Sequence, residues 1–224
     1  MCVQLEGGGE RHDVYAIGLQ ESTFALSKEQ RHFGSLNAYM ATLLLEVLGG
    51  EFRLVECKAM WEIRLLLIAH EEVMPHLEVL DSASEPTGIG GVGGNKGGVA
   101  IAIAVHKTSF CFVTAHLAAH QEMTRRRNRD LIDIFRGMRS LAVGKRPGKR
   151  ALDPSIGFDH TFLFGDLNYR LAAPLETVLD ALDEERPVFA RLHAYDQVRH
   201  TRRHSPTQAV TRRSNSGRPA CSPH

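Results

Sequence analysis

The amino-acid sequence predicts an α/β protein with mixed sheets, and two features of its pattern carry the prediction. Apolar, strand-like runs recur along the chain and alternate with segments in which apolar residues recur at helical spacing. Two of the strand-like runs are separated by little more than Lys107-Thr108, which is typical of a hairpin. Strands and helices mixed in this order, with hairpins among them, favour mixed sheets over a purely parallel sheet.

The predicted elements follow one another along most of the chain. Strands are predicted at Val14–Leu19, Phe52–Cys57, Glu62–Ala69, Leu77–Leu80, Val99–Val105, Phe110–Val113 and Thr161–Phe164. Helices are predicted from a capping box at Ser27 and Gln30 to Val47, and at Glu122–Arg139, Pro174–Leu182 and Phe189–Val198. Four arginines of the second helix are expected on its solvated face, namely Arg125, Arg126, Arg127 and Arg129.

Length and composition describe a folded protein with a distinct basic tail. The 224 residues are 43% hydrophobic, enough to bury a sizeable core, so a wholly disordered chain is excluded. The formal net charge of +1 excludes a polycation that coats nucleic acid. The segment from Arg199 to His224 has six arginines and no acidic residue. We expect residues 199–224 to form a disordered basic tail.

Cysteine usage and the shortness of the apolar runs indicate an intracellular protein. The four cysteines show no C-x-x-C spacing and no pairing pattern, which favours reduced thiols over a disulfide framework. The longest apolar runs fall far short of a membrane span, and the first residues lack a secretory pattern. We expect a cytoplasmic protein whose contact with a membrane, if any, is peripheral.

Three polar clusters follow directly after predicted strands, where the edge of a sheet displays reactive groups. They are Gln20-Glu21, then His116, then Asp166 with Asn168. A single carboxylate at a strand end is commonly a solvated turn residue. Together, however, the three clusters contain the parts of a metal-assisted phosphoryl-transfer site: hard oxygen ligands for Mg²⁺, a group that places water, and donors to phosphate oxygens.

The glycine-rich segment between these clusters fits neither common nucleotide-binding motif. Gly88 to Gly93 satisfies G-x-G-x-x-G, but a strand follows it where a dinucleotide-binding motif requires a helix. Gly94-Asn95-Lys96-Gly97 also departs from the P-loop pattern. Two alternatives stay open for these glycines: a backbone nest that binds anions beside Lys96, or a purely conformational role.

Five strings of residues, in this order, resemble the inositol polyphosphate 5-phosphatase catalytic domain. They are Asp13 to Glu21, Gly94 to Ile101, His116 to His120, Gly165 to Arg170, and Ala194 to Gln197. Asn-Lys-Gly-Gly-Val and Gly-Asp-Leu-Asn-Tyr-Arg are the specific strings, whereas Gln-Glu alone is typical of the wider endonuclease/exonuclease/phosphatase superfamily. The resemblance covers residues 13–198.

The resemblance implies a fold and a reaction. The fold is a four-layer α/β sandwich of the DNase I-like type, with two packed mixed β-sheets flanked by helices. The reaction is Mg²⁺-dependent removal of the 5-phosphate from phosphoinositides or soluble inositol polyphosphates, which is the hydrolysis of a phosphoric monoester. We therefore expect an inositide substrate, no nucleic-acid partner and a monomer.

The resemblance also assigns the site residues. Four positions match family residues that touch the metal ion, the water or the phosphate, namely Glu21, His116, Asp166 and Asn168. Glu21 matches the metal ligand, and Asp166 matches the residue that orients and activates water. Asn168 matches a contact to the scissile phosphate, and His116 matches the histidine that stabilises the transition state. Those that border or support the site are matched by Asn95, Lys96, Tyr169 and Arg170.

The sequence departs from the family's pattern towards both ends. Nothing before Asp13 matches its Trp-Asn-x-Gly segment, and nothing after Val198 matches its Pro-Thr-Tyr-Lys, Trp-Cys-Asp-Arg and Ser-Asp-His segments. We expect a loose segment at 1–12, a partial catalytic domain at 13–198 and the tail at 199–224, in a chain truncated at both ends. Because members of such a catalytic set act as a unit, we expect its rate to be strongly impaired or lost.

Two other functions stay open at this point. One is a pseudo-enzyme that binds inositides or a protein partner without turnover, with the basic tail assisting at anionic lipid. The other is a different phosphodiesterase or nuclease of the superfamily. The two specific strings argue against the second alternative, because they belong to the 5-phosphatases.

Overall fold

The computed structural model describes residues 12–88, 95–143, 153–182 and 191–201. Its strands are β1 (Val14–Leu19), β2 (Phe52–Met60), β3 (Ile63–His70), β4 (Leu77–Pro86), β5 (Gly97–Val105), β6 (Thr108–His116) and β7 (His160–Asp166). Its helices are α1 (Leu36–Leu48), α2 (Thr124–Gly137), α3 (Pro154–Gly157), α4 (Leu175–Leu182) and α5 (Gln197–Thr201). Among the described residues, no helix is long and apolar enough to cross a membrane. The expectations for residues 1–11, for 89–94 of the glycine-rich segment and for 202–224 of the tail lie outside the described residues.

The strands form two sheets, each with a central strand that is buried on both faces. One sheet has the order β1-β3-β2 and is antiparallel, and the other has the order β4-β5-β6-β7. Among the described strands, only β6 and β7 pair in parallel. The apolar runs Leu65–Ala69 of β3 and Val99–Ile103 of β5 are buried without interruption because both faces of these strands are covered.

The hydrophobic core lies between the two sheets. Its buried cluster comes from β3 and β5 and consists of Ile63, Leu65, Leu67, Val99, Ile101 and Ile103. α1 packs against β2, and α2 packs against β4 and β5. A Cβ at Gly98 of β5 would lie 2.8 Å from Ile134 Cγ2, so glycine lets α2 approach the sheet closely. The order helix, sheet, sheet, helix confirms the predicted sandwich of two packed sheets flanked by helices.

The first predicted helix is interrupted. Gly34, with φ 75°, separates a 3₁₀ turn at Arg31–Phe33 from α1. The N–H of Ser27 donates to Gln30 Oε1 at 2.9 Å, so half of the capping box forms, but it precedes the 3₁₀ turn. The N-cap of α1 is Ser35, whose Oγ accepts a backbone N–H of the first turn at 3.2 Å. The prediction was wrong about where the helix begins, because glycine at positive φ ends one helical segment before the next.

The solvated arginine face predicted for α2 holds for Arg125 and Arg129 but not for Arg127. The first two side chains are exposed, whereas Arg127 is 0% exposed. Its guanidinium donates to backbone carbonyls of residues 118–121, which replace water as partners for the charge. The expectation for Arg127 was wrong because a helical charge pattern does not distinguish a solvated arginine from one that turns inward to a neighbouring loop.

The chain divides into two compact units, residues 1–168 and 169–224. In the second unit, Leu171 pairs with Asp196 in an isolated antiparallel bridge. The N–H of Arg170 donates to Gln197 Oε1 at 3.1 Å, and the N–H of Gln197 donates to the Arg170 carbonyl at 3.1 Å. These bonds tie the start of the second unit to α5. The catalytic domain expected at 13–198 stays a prediction.

Candidate active site

Ends of strands from both sheets meet at one place. In the register of the second sheet, His116 at the end of β6 stands between Gly97 at the start of β5 and Asp166 at the end of β7. β5 runs antiparallel to β6 and β7 runs parallel to it, which is why a strand start and a strand end flank His116. Glu21, which follows β1 of the other sheet, reaches the same histidine.

β1 approaches β6 closely because Gly18 has no side chain. A Cβ at Gly18 would lie 2.3 Å from Thr114 Oγ1 and 2.7 Å from a ring carbon of Phe164. Two residues on, Gln20 Nε2 donates to the same Thr114 hydroxyl at 2.9 Å. Since Thr114 is fully buried, this bond holds the end of β1, and with it Glu21, at the end of β6.

His116 is the centre of the site. Its side chain is 1% exposed, and its Nε2 lies 3.3 Å from Asp166 Oδ2 and 3.9 Å from Glu21 Oε1. The two carboxylates are far more accessible, at 46% for Asp166 and 70% for Glu21. Three residues predicted from distant stretches of sequence therefore converge, with a buried imidazole facing two solvent-accessible carboxylates.

Lys96 contacts the same imidazole nitrogen. Its Nζ lies 2.9 Å from His116 Nε2 and donates to Asn95 Oδ1 at 3.0 Å. Burial and the Lys96 ammonium lower the pKa of His116 below its usual value, against the opposing influence of Asp166 and Glu21. The Lys96 ammonium therefore brings a positive charge into direct contact with this buried imidazole.

The loop after β7 is fixed by hydrogen bonds to the loop after β6. The N–H of Asn168 donates to Asp166 Oδ1 at 3.1 Å, and Asn168 Nδ2 donates to the Leu117 carbonyl at 3.1 Å. The N–H of Leu117 donates in turn to the Asp166 carbonyl at 3.0 Å. The residue after His116 thus holds both Asp166 and Asn168, and it sets the orientation of the Asn168 amide.

Strained backbone surrounds the site. Glu21 has φ 52°, His120 has φ 70° and Asn168 has φ 54°, all in the left-handed region. This conformation costs an L-residue about 1–2 kcal/mol. Such strain persists only where the surrounding structure imposes it, and it clusters at functional sites. Each of the three loops that follow β1, β6 and β7 contains one of these residues.

A buried arginine supports the loop that carries Glu21. Arg64 of β3 is 7% exposed, and burial lowers the pKa of its guanidinium. Its Nη1 donates to the Ser22 carbonyl at 2.9 Å and to Ser22 Oγ at 2.7 Å, and its Nε donates to Asn37 Oδ1 at 2.7 Å. The residue after Glu21 is thereby anchored to β3 and α1. Sequence analysis missed Arg64, because it stands inside an apolar strand and its partners are distant along the chain.

The available donors suit a hard divalent cation. Glu21 and Asp166 offer exposed carboxylate oxygens near one imidazole nitrogen. Mg²⁺ commonly takes one or two carboxylates from a protein and keeps several water ligands. Within the described ranges, no group of three or more His, Cys, Asp or Glu side chains forms a metal-binding cluster. The two accessible carboxylates fit an ion that keeps much of its water.

The sequence that forms this site matches a known protein family. The family described as endonuclease/exonuclease/phosphatase family 2 matches residues 4–214. The chain belongs to this family. The match includes every string on which the resemblance to the 5-phosphatases rests, from Asp13 to Gln197.

Curated members of the family that resemble the chain are named as 5-phosphatases, which confirms the resemblance. The chain is 33% identical over 187 residues, 84% of its length, to phosphatidylinositol 3,4,5-trisphosphate 5-phosphatase 2 of Homo sapiens. It is 33% identical over 199 residues to phosphatidylinositol 3,4,5-trisphosphate 5-phosphatase 2B of Danio rerio, and 31% identical over 198 residues to phosphatidylinositol 3,4,5-trisphosphate 5-phosphatase 1 of Homo sapiens, with 86% of the chain covered in both cases. The chain spans only 14% of the first relative's length and 15% of the other two.

Two solved structures share the fold. The inositol polyphosphate 5-phosphatase domain of synaptojanin, in complex with inositol (1,4)-bisphosphate and calcium ion, matches with a TM-score of 0.67 at 24% identity, over 87% of this chain and 54% of that chain. The ferrous nitric oxide complex of Cimex nitrophorin matches with a TM-score of 0.57 at 17% identity, over 87% of this chain and 62% of that chain. The first match confirms the DNase I-like sandwich. The second shows that the fold by itself does not assign an activity.

The structure brings together six of the eight predicted site residues. The residues that it brings together are Glu21, Asn95, Lys96, His116, Asp166 and Asn168. Tyr169 and Arg170 belong to the second unit. Their supporting role, like the individual roles of the other residues, stays a prediction.

Proposed function

We propose that this chain is a Mg²⁺-dependent phosphoric monoester hydrolase that removes the 5-phosphate from phosphoinositides or soluble inositol polyphosphates. The observation that carries the proposal is the convergence of Asp166 and Glu21 on His116 Nε2, at 3.3 Å and 3.9 Å. Similar family members named as phosphatidylinositol 3,4,5-trisphosphate 5-phosphatases support the choice of substrate. A cytoplasmic location, peripheral membrane contact and a monomeric state complete the proposal.

The charges of the site fit the demands of this reaction. The oxygens of a phosphate monoester are already negative, so neutralising them matters more than a strong nucleophile. Lys96 provides an ammonium group at the site, 2.9 Å from His116 Nε2, and Asn168 provides an amide held by Leu117. When bound, a divalent cation adds positive charge against the phosphate oxygens. Glu21 is the side chain that would hold it, and the neighbouring Asp166 carboxylate acts on the attacking water.

The same residues account for the proton transfers of the reaction. Asp166, with an exposed carboxylate, orients the attacking water and accepts its proton as the water oxygen bonds to phosphorus. The bond between phosphorus and the 5-oxygen of the inositol breaks, and that oxygen leaves as a hydroxyl group after it takes a proton from solvent, while Asp166 returns its own proton to solvent. His116 is buried and contacts both Lys96 and Asp166, so it holds the ammonium group and the carboxylate in place beside the phosphate.

The choice of Mg²⁺ rests on the donors. The calcium ion in the synaptojanin domain supports a requirement for a divalent cation. A carboxylate ligand with room for several water molecules matches the ligand set that Mg²⁺ takes in phosphoryl-transfer sites.

Phosphate release tests the proposal. The chain is incubated with soluble inositol 1,4,5-trisphosphate, or with vesicles that contain phosphatidylinositol 3,4,5-trisphosphate, in Mg²⁺ or in a chelator. Asp166→Asn is the matched control, because it keeps the shape of the side chain and removes the proton acceptor. We expect slow Mg²⁺-dependent release from the 5-position, because several motifs of the family's catalytic set are not matched in this sequence, but release above the Asp166→Asn level.

Two results would contradict the proposal. Equal phosphate release by the wild type and Asp166→Asn would show that Asp166 does not activate the water. Release of phosphate from another ring position would show that the protein is not a 5-phosphatase. Inositide binding without Mg²⁺ and without release would favour the non-catalytic alternative.

A further inference from the structure

Two buried charged residues of α2 are not used by the proposed reaction. Arg127 is 0% exposed and Asp130 is 1% exposed. Removing charged groups from water costs several kcal/mol for each group unless hydrogen bonds replace the lost solvation. The bonds that these two side chains make are therefore informative, and many of them go to the loop at 117–121 that follows His116.

The two side chains bind donors and acceptors of one short loop. Arg127 Nη1 donates to the carbonyls of Ala118 at 2.9 Å and His120 at 2.6 Å, and Nη2 donates to the Gln121 carbonyl at 3.3 Å. Asp130 Oδ2 accepts from the N–H of Ala118 at 3.2 Å. A planar guanidinium with several fixed donors can hold successive carbonyls that a single ammonium cannot reach together. His120 keeps its left-handed backbone, at φ 70°, under this restraint.

The restrained loop leads directly to the site. Leu117 precedes Ala118, and its carbonyl accepts from Asn168 Nδ2 at 3.1 Å. Its N–H donates to the Asp166 carbonyl at 3.0 Å. The position of the Leu117 peptide therefore sets the orientation of the Asn168 amide, and the residues that fix the Ala118 peptide set the position of Leu117.

We propose that Arg127 and Asp130 are positioning residues, which hold the 117–121 loop in the conformation where the Leu117 carbonyl orients the Asn168 amide. The inference rests on the proposed function, because Asn168 is assigned there as a donor to the phosphate. Both residues bind the 117–121 loop that leads to the site. Because each acts through the loop, the loss of either residue should turn the Asn168 amide, while every side chain of the site stays present.

The direct test observes the loop and Asn168 without any substrate. Arg127→Lys keeps the charge and removes the fork, and Arg129→Lys on the exposed face of α2 is the matched control. We expect Arg127→Lys to shift the side-chain ¹⁵N–H signals of Asn168 and to speed hydrogen exchange of the Ala118 amide about tenfold or more. Arg129→Lys should leave both unchanged.

A second variant covers the case in which Arg127→Lys does not fold. Asp130 accepts from Arg126 Nε at Oδ1 and from the Ala118 N–H at Oδ2. Asp130→Asn has nearly the same shape but only one accepting oxygen, so one of these two donors must lose its partner. We expect the same displaced Asn168 signals in this variant.

Kinetics provides the functional measurement. Arg127→Lys should lower kcat for the 5-phosphate substrate about 10- to 100-fold, the range typical of residues that orient site groups, with KM little changed. In an Asn168→Ala background the same substitution should cost little more, since the effects of coupled residues do not add. Rescue of kcat by any variant that restores the Asn168 signals would support the same route.

The outcomes separate this inference from the proposed function. Lower thermal stability with unchanged Asn168 signals, or effects of Arg127→Lys and Asn168→Ala that multiply in full, would overturn the positioning role. Absence of phosphate release in the wild type would overturn the proposed function only, because the Asn168 signals and the Ala118 exchange rate decide the positioning role on their own.

Discussion

Replacing Glu21 with glycine should stabilise the fold while it removes a carboxylate that the site needs. Glu21 has φ 52°, and its side chain is 70% exposed, so its loss removes little packing. The left-handed conformation costs an L-residue about 1–2 kcal/mol. Glycine lowers the folding stability by roughly 0.5–1 kcal/mol, because it increases the conformational entropy of the unfolded chain. The net expectation is a gain of about 0.5–1 kcal/mol, or about 1–4 °C in Tm for a chain of this size.

The assay compares three proteins by thermal and urea unfolding in the presence of a chelator, which removes any stabilisation by bound metal. Glu21→Ala is the control, because it removes the carboxylate but keeps a β-carbon and therefore most of the backbone cost. We expect Glu21→Gly to unfold at a higher temperature than the wild type, and Glu21→Ala to unfold close to it.

One result would refute this reasoning. If Glu21→Gly unfolds at or below the temperature of Glu21→Ala, the left-handed backbone at this position carries no cost that glycine relieves. Both variants should lose Mg²⁺-dependent phosphate release, so the Glu21→Gly protein should be more stable and less active than the wild type. If Glu21→Gly is more stable and still releases phosphate, Glu21 does not belong to the active site.

Three further predictions concern the surroundings of the site. Lys96→Met should raise the pKa of His116, since the ammonium holds it down, and an NMR titration of the imidazole that shows no rise would contradict the assigned contact. Arg64→Met should destabilise the fold by about 1–3 kcal/mol in urea unfolding, because partly buried acceptors lose their donor, and a loss near zero would argue against the anchor. Gly18→Ala should cost about 1–3 kcal/mol through crowding against β6, whereas Gly50→Ala, with open space around it, should cost much less; equal losses would count against the close approach.

The parts of the fold that could be predicted from the sequence are those set by local pattern. β1 occupies Val14–Leu19 as predicted, and the hairpin of β5 and β6 forms around the predicted turn. β4 runs to Pro86, beyond the predicted end at Leu80, because its polar second half is held by pairing with β5 rather than by its own apolar pattern. Local pattern therefore located the strands, and pairing decided how far they extend.

The site divides in the same way. Glu21, His116 and Asp166 were identified because each follows a predicted apolar strand within one of the five strings that resemble the 5-phosphatases. Arg64 and Arg127 were not identified as supports, because their partners are fixed by three-dimensional packing. The bond from Arg64 to the Ser22 carbonyl joins residues 42 positions apart. The residue pattern within a single strand or helix cannot predict a contact between residues so far apart in the sequence.

Binding of Mn²⁺, a paramagnetic substitute for Mg²⁺ at carboxylate sites, tests whether one cation binds where Glu21, His116 and Asp166 converge. In an NMR titration of the chain, we expect the signals of His116, Asn168 and the Ser22 amide to broaden together, and Glu21→Gln to weaken the effect on all three. Broadening of these signals at different Mn²⁺ concentrations, or broadening confined to other parts of the chain, would contradict a shared cation at this site.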